Sequence, residues 1–341
     1  MKCPVCGGEC LKNSSELLSS YDGIFKPCPK CRGRESDKMS APRHMDIAPA
    51  CSCGRRYIDD VFVHIFSILV EEGLLNPSAP LKSVGTPLTN PGFFMKNPPY
   101  LPENSLILIS AHMTSESAFR IVNEVDEVKA VIGNGAPASG IMSLHHPQGG
   151  NRLLAGCDVR ADIFHTSAIP IAVYKQQSAL HVEYPRGYDP KILSVELQVE
   201  VHRPDVFVDA FCGAGTLGIV AGAAGARRII MNDILGAAAY WSACNVHLNR
   251  DALGCGRVNI HTDYDSVRKI RNSDDPLNVA DTTGGSTSFE IYCGSYEALH
   301  RVLPENIDLS VLDPFGKKDR AHLRQMVSEW NKNVGGEIFI P

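Results

Sequence analysis

A chain of 341 residues is longer than one typical domain and points to two or three. Hydrophobic residues at 44% and charged residues at 21% fit a globular protein, and no apolar run approaches the roughly twenty residues that span a bilayer, which excludes a membrane-spanning helix. A net charge of −5 excludes a uniformly basic surface but not local patches, and Lys26, Lys30, Arg32 and Arg34, then Arg55 and Arg56, then Lys317, Lys318 and Arg320 make three of them.

The chain opens with MKCPVCGGEC, charged and without an apolar core, which is not a secretory leader. The expectation is a cytoplasmic protein whose 12 cysteines are reduced thiols or metal ligands, with no disulfide partner. CPVC (Cys3, Cys6) and CPKC (Cys28, Cys31) stand about twenty residues apart, a spacing that suits one tetrahedral Zn2+ closed by four thiolates. Such a site is structural. Cys3, Cys6, Cys28 and Cys31 are the simplest set; Cys28, Cys31, Cys51 and Cys53 are the alternative. With Cys10 and His44 counted, the segment has ligands for two ions. Cys157, Cys212, Cys244, Cys255 and Cys293 lie in apolar surroundings and read as buried small hydrophobes. Residues 1–55 thus form a zinc-ribbon-like module, too poor in apolar residues to fold on a core alone.

Residues 57–75 carry a helical apolar pattern that stops at Gly-Leu-Leu-Asn-Pro, and 76–102 are rich in Pro and Gly and read as a loop. SLILIS, SESAFRIVNEV and VKAVIGNG then read as strand, helix and strand, half of a ferredoxin-like arrangement. This makes 56–150 a helix plus a small α/β domain. His145 and His146, beside Pro147, belong to a loop. Residues 153–186 have strand-like ends around a loop, and PKILSVELQVEV is a helix.

Beyond residue 205 the text sharpens. VFVDAFCGAGTLGIVAGAAGA is a buried strand ending at Asp209, a glycine turn and a small-residue helix. Gly213, Gly215 and Gly218 fit G-x-G-x-x-G, in which glycines serve the tight turn, the backbone's approach to a ligand and close helix–strand packing. RRIIMNDI is a second strand ending in Asp233, about twenty residues on, where a carboxylate grips ribose hydroxyls. IDLSVLDPFG is another strand, ending in Asp313-Pro314-Phe315-Gly316. The alternation of strand and helix implies a parallel sheet with helices on both faces.

With these three segments the chain resembles the class I S-adenosylmethionine-dependent methyltransferases. More narrowly it resembles the tRNA guanine N-methyltransferases, the guanine-N1 and wybutosine-synthesis group and the guanine-N2 dimethyltransferase group, which carry N-D-I after the second strand and D-P-F/Y-G after the fourth. The resemblance covers 206–341 well and 153–186 more faintly. It implies an α/β, Rossmann-like methyltransferase domain over 151–341. It leaves no room after GEIFIP for the family's last two antiparallel strands, so either the sheet is shortened or upstream segments complete it.

The resemblance also implies residue roles. The backbone of Ala210 to Gly215, with Phe211, Gly213 and Gly215, faces the methionine part of S-adenosylmethionine. Asp209 holds its ammonium, Asp233 its ribose and Ile234 its adenine. A further adenine contact is expected at Asp263, after RVNIHTD as third strand. Ser295 or Tyr296, after FEIYC, is the alternative, with 276–288 then an insertion. Asp313, Pro314 and Phe315 become catalytic, the carboxylate holding the target nitrogen and taking its proton, the ring lying beside the base. Arg160, Asp162, His165, Tyr174 and Lys175 become candidate substrate contacts. The implied reaction is methylation of a guanine nitrogen in tRNA. A protein or small-molecule acceptor, aminocarboxypropyl transfer from the same cofactor, and a scaffold without turnover stay open.

Overall fold

The computed structural model describes residues 1–135, 150–271, 273 and 275–341, so His145 and His146 lie outside the described residues. The chain divides into two compact units. The first holds Met1–Cys10, Ser19–Asp162 and Gln176–Pro185, and the second Leu11–Leu18, Ile163–Lys175 and Arg186–Pro341. The cysteine-rich segment and the α/β segment that the sequence separates thus fall together in the first unit, apart from 11–18.

Two short helices come first, α1 (Ser14–Leu18) in the second unit and α2 (Tyr21–Ile24) in the first. Strand β1 (Arg56–Tyr57) leads into α3 (Ile58–Glu71), the helix read from 57–75. Val61, Ile65, Phe66, Ile68 and Leu69 are at most 2% exposed, so α3 is apolar almost all round and runs through the core. Asp59 and Asp60 sit in its first turn, where the helix dipole favours anions. Both are buried and both are paired, Asp59 with Lys38 and Asp60 with Arg34 at 2.9 Å. These pairs pin the core-poor stretch around residues 34–38 to the helix start.

The Pro- and Gly-rich stretch read as loop contains two short strands, β2 (Thr86–Thr89) and β3 (Tyr100–Leu101), the latter paired with β1. β4 (Leu106–Ser110), α4 (Ser115–Glu124) and β5 (Val128–Gly133) are the expected strand, helix and strand, and β6 (Arg152–Gly156) follows. Thr114 starts α4 with a capping box to Ser117. The sheet order is β2-β4-β5-β6, with β4 and β5 parallel and directly adjacent. The ferredoxin-like expectation is therefore corrected, because a split arrangement would leave another strand between them. Leu106, Leu108, Ile121, Val128 and Val131 close one core with the apolar residues of α3.

β7 (Val159–His165) and β8 (Pro170–Gln176) form a two-stranded sheet whose residues fall partly in each unit. The second unit continues with α5 (Pro190–His202), which has Asp189 as N-cap and Pro190 in its first turn. Next come β9 (Val206–Asp209), α6 (Thr216–Ala223), β10 (Arg228–Asp233), α7 (Gly236–Leu253) and β11 (Cys255–Ile260). The last elements are α8 (Tyr264–Val267), β12 (Leu277–Gly285), β13 (Ser288–Cys293), β14 (Leu309–Val311), α9 (Arg320–Asn333) and β15 (Glu337–Phe339). Seven strands run in the order β11-β12-β13-β10-β9-β14-β15. From β13 to β15 every pairing is parallel. The α/β, Rossmann-like class expected from the sequence stands.

Successive residues of these strands point to opposite faces. Ile229 and Met231 meet α6, where a side chain at Gly218 would come within 2.4 Å of Met231 Sδ. Val208, Ile230 and Leu312 instead pack with Met326 and Trp330 of α9. Helices thus cover both faces. Each such apolar side chain contributes roughly 1.5–3 kcal/mol by leaving water, and the Trp330 indole donates to Ser310 Oγ at 3.1 Å.

One expectation about the sheet is corrected here. The third parallel strand is β13, FEIYC, not the RVNIHTD segment; β11 pairs antiparallel with β12 at the sheet edge. The reason is burial: Phe289, Ile291 and Cys293 are fully buried on one face of β13 and Tyr292 is buried on the other, whereas β11 is half exposed. The segment 276–288, an insertion in the alternative reading, supplies β12, so antiparallel strands extend the sheet at its β13 side. Among the described residues no helix is long and apolar enough to cross a membrane.

Candidate functional site

The parallel strands of the second unit bring three carboxylates to one end of the sheet. Asp209 ends β9 and is fully buried; its carboxylate accepts from Phe211 N at 3.4 Å and Gly218 N at 3.1 Å. Burial, reinforced by the charges of Asp313 and Asp233, pushes it up to about 8. Asp233 ends β10, the next strand. It accepts from Gly213 N and Leu235 N, both at 2.9 Å, so it clasps the glycine turn, and burial raises it as well, against those two hydrogen bonds.

The turn needs its glycines. Gly213 and Gly215 have φ of +53° and +87°, left-handed values that other residues adopt only with strain. A side chain at Gly213 would meet nothing within 4 Å, so the turn borders open space, whereas one at Gly215 would press on Ser242. Phe211 and Ile234 are half-buried at the two strand ends, and Phe211 meets Tyr296 with ring centroids 5.1 Å apart. Asn232 bridges this end of the sheet, its amide donating to Ala210 O at 3.3 Å and Gly294 O at 3.0 Å.

Asp313 follows β14, on the other side of β9. Lys191 lies 2.6 Å from its Oδ2 and Lys317 2.5 Å from its Oδ1. Pro314 is buried and Phe315 is 54% exposed. Asp263 stands elsewhere. It follows the edge strand β11, is exposed, and caps α8 by accepting from Ser266 N and Ser266 Oγ at 2.9 and 2.7 Å. Those hydrogen bonds lower its pKa. Ser295 and Tyr296, the alternative, follow the third parallel strand.

The cysteines of the first unit gather into two clusters, not one. Cys28, Cys31, Cys51 and Cys53 form one, and Cys3, Cys6, Cys10 and Cys157 the other. The simplest ligand set is thereby corrected, because Cys3 and Cys6 do not share a site with Cys28 and Cys31. Cys157, expected as a buried small hydrophobe, joins the N-terminal knuckle; His44 is exposed and in neither cluster. Sulfur separations of 3.6, 3.7 and 3.5 Å in the first cluster, and 3.8, 3.3 and 3.7 Å in the second, are too long for disulfides. They match the edge of a tetrahedron with sulfur about 2.3 Å from a central Zn2+, which is about 3.8 Å. Both clusters can hold zinc.

Of the candidate contacts upstream, Arg160, Asp162, Tyr174 and Lys175 are buried and His165 is exposed. Arg160 pairs with Asp162 at 3.0 Å and donates to Thr89 O and Glu183 O, a framework role. Sequence reasoning missed Asn245 and Asn249. One turn apart on α7, they hold the backbone of β8 as a neighbouring strand would, Asn245 at Tyr174 N and O, Asn249 at Ala172 N and O. Asn245 also donates to Ala214 O at 2.9 Å, tying that strand to the glycine turn. Their i, i+4 spacing on a buried helix face was the available signal.

No family model matches the chain, and no curated protein matches it. Solved structures do. The chain is similar to Trm1 from Pyrococcus horikoshii with S-adenosyl-L-methionine, at 21% identity over 45% of this chain and 36% of that one, with a TM-score of 0.32. It thus spans about a third of that structure's length. It is similar to P. horikoshii TYW2 in complex with MeSAdo, at 15% identity over 81% of this chain and 76% of that one, with a TM-score of 0.39. It is also similar to the Pyrococcus abyssi tRNA (uracil-54, C5)-methyltransferase in complex with S-adenosyl-L-homocysteine, at 12% identity over 82% of this chain and 56% of that one, with a TM-score of 0.39.

Proposed function

We propose that the chain is an S-adenosylmethionine-dependent N-methyltransferase acting on a guanine nitrogen of tRNA. The observation that carries this is the meeting of Asp209, Asp233 and Asp313 at the ends of the adjacent strands β9, β10 and β14, beside a glycine turn that borders open space. The chain leaves β9 toward β10 and later returns on its other side as β14, and such a reversal of strand order is where α/β sheets bind ligands. The residues fit the cofactor. A buried carboxylate raised to about 8 gains by meeting a cation, and the cofactor's ammonium is one. Asp233, fixed by two backbone N–H groups, keeps acceptor capacity for ribose hydroxyls. Phe211 and Ile234 offer apolar surface.

When bound, S-adenosylmethionine supplies a methyl group on a sulfonium sulfur. Transfer breaks the sulfur–carbon bond, forms a nitrogen–carbon bond and releases the nitrogen's proton. In this reading Asp313 accepts that N–H, which aims the nitrogen lone pair at the methyl carbon and gives the proton a destination. Phe315, exposed beside it, offers a flat face to a planar base. In this reading the first unit, with zinc at both clusters, helps to dock the RNA.

Calorimetric titration with S-adenosylhomocysteine tests the cofactor. Micromolar affinity is expected, weakened about ten-fold or more by Asp233→Ala; absence of heat sinks the proposal. Transfer of labelled methyl to total RNA against total protein tests the acceptor, and label on protein alone removes tRNA.

A further inference from the structure

Asp313 does not stand open to an acceptor. Its Oδ2 accepts a hydrogen bond from Lys191, and its Oδ1, buried and without a hydrogen bond, is ion-paired with Lys317. Lys191 comes from the first turn of α5 and Lys317 from the turn after Gly316; Lys317 also donates to Pro341 O at 2.5 Å. The carboxylate is 13% exposed, while the lysine side chains are 49% and 29% exposed. Lysine is a point charge on a flexible stem, and ion pairs with a solvated member are weak and exchange readily. Lys318 is exposed on the same turn as Phe315, and Arg320 is exposed at the start of α9. A chain of net charge −5 thus assigns four cations to the α5 start, the turn after β14 and the α9 start.

A carboxylate that accepts an N–H from a base needs an oxygen free for it. Resting on the methyl-transfer reading above, we propose that Lys191 and Lys317 are phosphate contacts for the acceptor. A phosphate of the acceptor's sugar–phosphate backbone draws them off Asp313, and the freed oxygen takes the base N–H. Binding of a polyanion and unmasking of the catalytic carboxylate become one event. Free nucleobases, which bring no phosphate, cannot drive the exchange, so the lysines also set specificity for a nucleic-acid acceptor.

Four forms of the 341-residue chain test this: wild type, Lys191→Gln/Lys317→Gln, Asp313→Asn and all three substitutions together, each first titrated with S-adenosylhomocysteine to establish an intact cofactor site. Binding of a fluorescein-labelled unmodified tRNA transcript is followed by anisotropy as salt is raised. The double lysine variant is expected to bind about ten-fold more weakly, with a slope of log affinity against log salt shallower by about one to two. Asp313→Asn is expected to bind several-fold more tightly than wild type, because its lysines are already free, while losing methyl transfer. Adding Asp313→Asn to the double lysine variant is expected to bring no tightening, whereas the mere loss of a negative charge would tighten binding with or without the lysines. A double variant with wild-type affinity and slope, or an Asp313→Asn protein that binds no tighter, overturns the exchange. If wild type binds S-adenosylhomocysteine but not the transcript, the tRNA reading falls and the exchange with it; if wild type binds both and the variants do not respond, only the exchange falls.

Discussion

At the strand ends of the second unit, Asp233 holds Gly213 across 20 residues of chain, with a parallel sheet and two layers of helix behind both. In the first unit, Cys157 meets Cys3 across 154 residues and Cys10 across 147, and the N-terminal segment beside them brings few apolar residues. The first arrangement is held by a core that exists without any ligand. The second gathers four thiols whose mutual approach only a metal rewards, since structural zinc sites contribute folding energy directly. The proposed cofactor site thus rests on an apolar core, whereas the cysteine clusters need the metal they could hold, and the two should fail differently.

The largest expected effect breaks the second arrangement and leaves the first. We expect two Zn2+ per chain by elemental analysis, falling to one in Cys28→Ser and to one in Cys157→Ser. Each loss forfeits on the order of 10 kcal/mol of metal-linked stability. Hydrogen exchange should show amides of residues 26–55 losing protection in Cys28→Ser, with those of 206–233 unchanged. Loss of protection in both places would mean that the sheet, too, depends on the metal.

An intermediate effect tests how much the strand-end site relies on α7. Asn245→Ala leaves Tyr174 N, Tyr174 O and Ala214 O without their amide partner. At about 1–3 kcal/mol for each buried group left unpaired, a loss of about 3 kcal/mol or more is expected in denaturant unfolding. Bound zinc should stay the same. A loss below 1 kcal/mol would show that water or a neighbouring group replaces the amide.

A further effect is in pH. Asp209 has an ordinary value near 3.8 in the unfolded chain and about 8 when folded, so the folded state binds the extra proton between them. Stability from this group is therefore greatest below about 4 and is lost as pH rises toward 8, by up to a few kcal/mol. Asp209→Asn should flatten that slope. If the proposed ammonium meets the Asp209 carboxylate, cofactor binding near neutral pH releases a proton, and calorimetry in buffers of different ionisation heat measures it. Zero proton release would place the ammonium elsewhere.

Much of the second unit was legible because its signals are local. Strand β9, the glycine turn and α6 follow one another without a break, and the strand-end acids close each run, so period and punctuation locate them. RVNIHTD misled because an edge strand and a central strand look alike over six residues; only the full burial of Phe289, Ile291 and Cys293 separates them. β12 was missed because DTTGG has turn residues, and its partners on both sides make it a strand. Lys317 stood in a basic patch beside Asp313, but Lys191 was illegible as its second partner, since it lies 122 residues away and a lone lysine on a helix carries no signal.

By itself the sequence determined the class of the second unit, the strands β9, β10 and β14 and the acids at their ends, because hydrophobic period and glycine demand are properties of neighbouring residues. It also pointed to the cysteines as metal ligands. Tertiary structure alone decided how they divide, because ligand geometry depends on distance in space, and Cys157 reaches the N-terminal knuckle only through the turn between β6 and β7. It likewise decided which strand stands third and what holds Asp313, since pairing and burial are settled by what packs on each face.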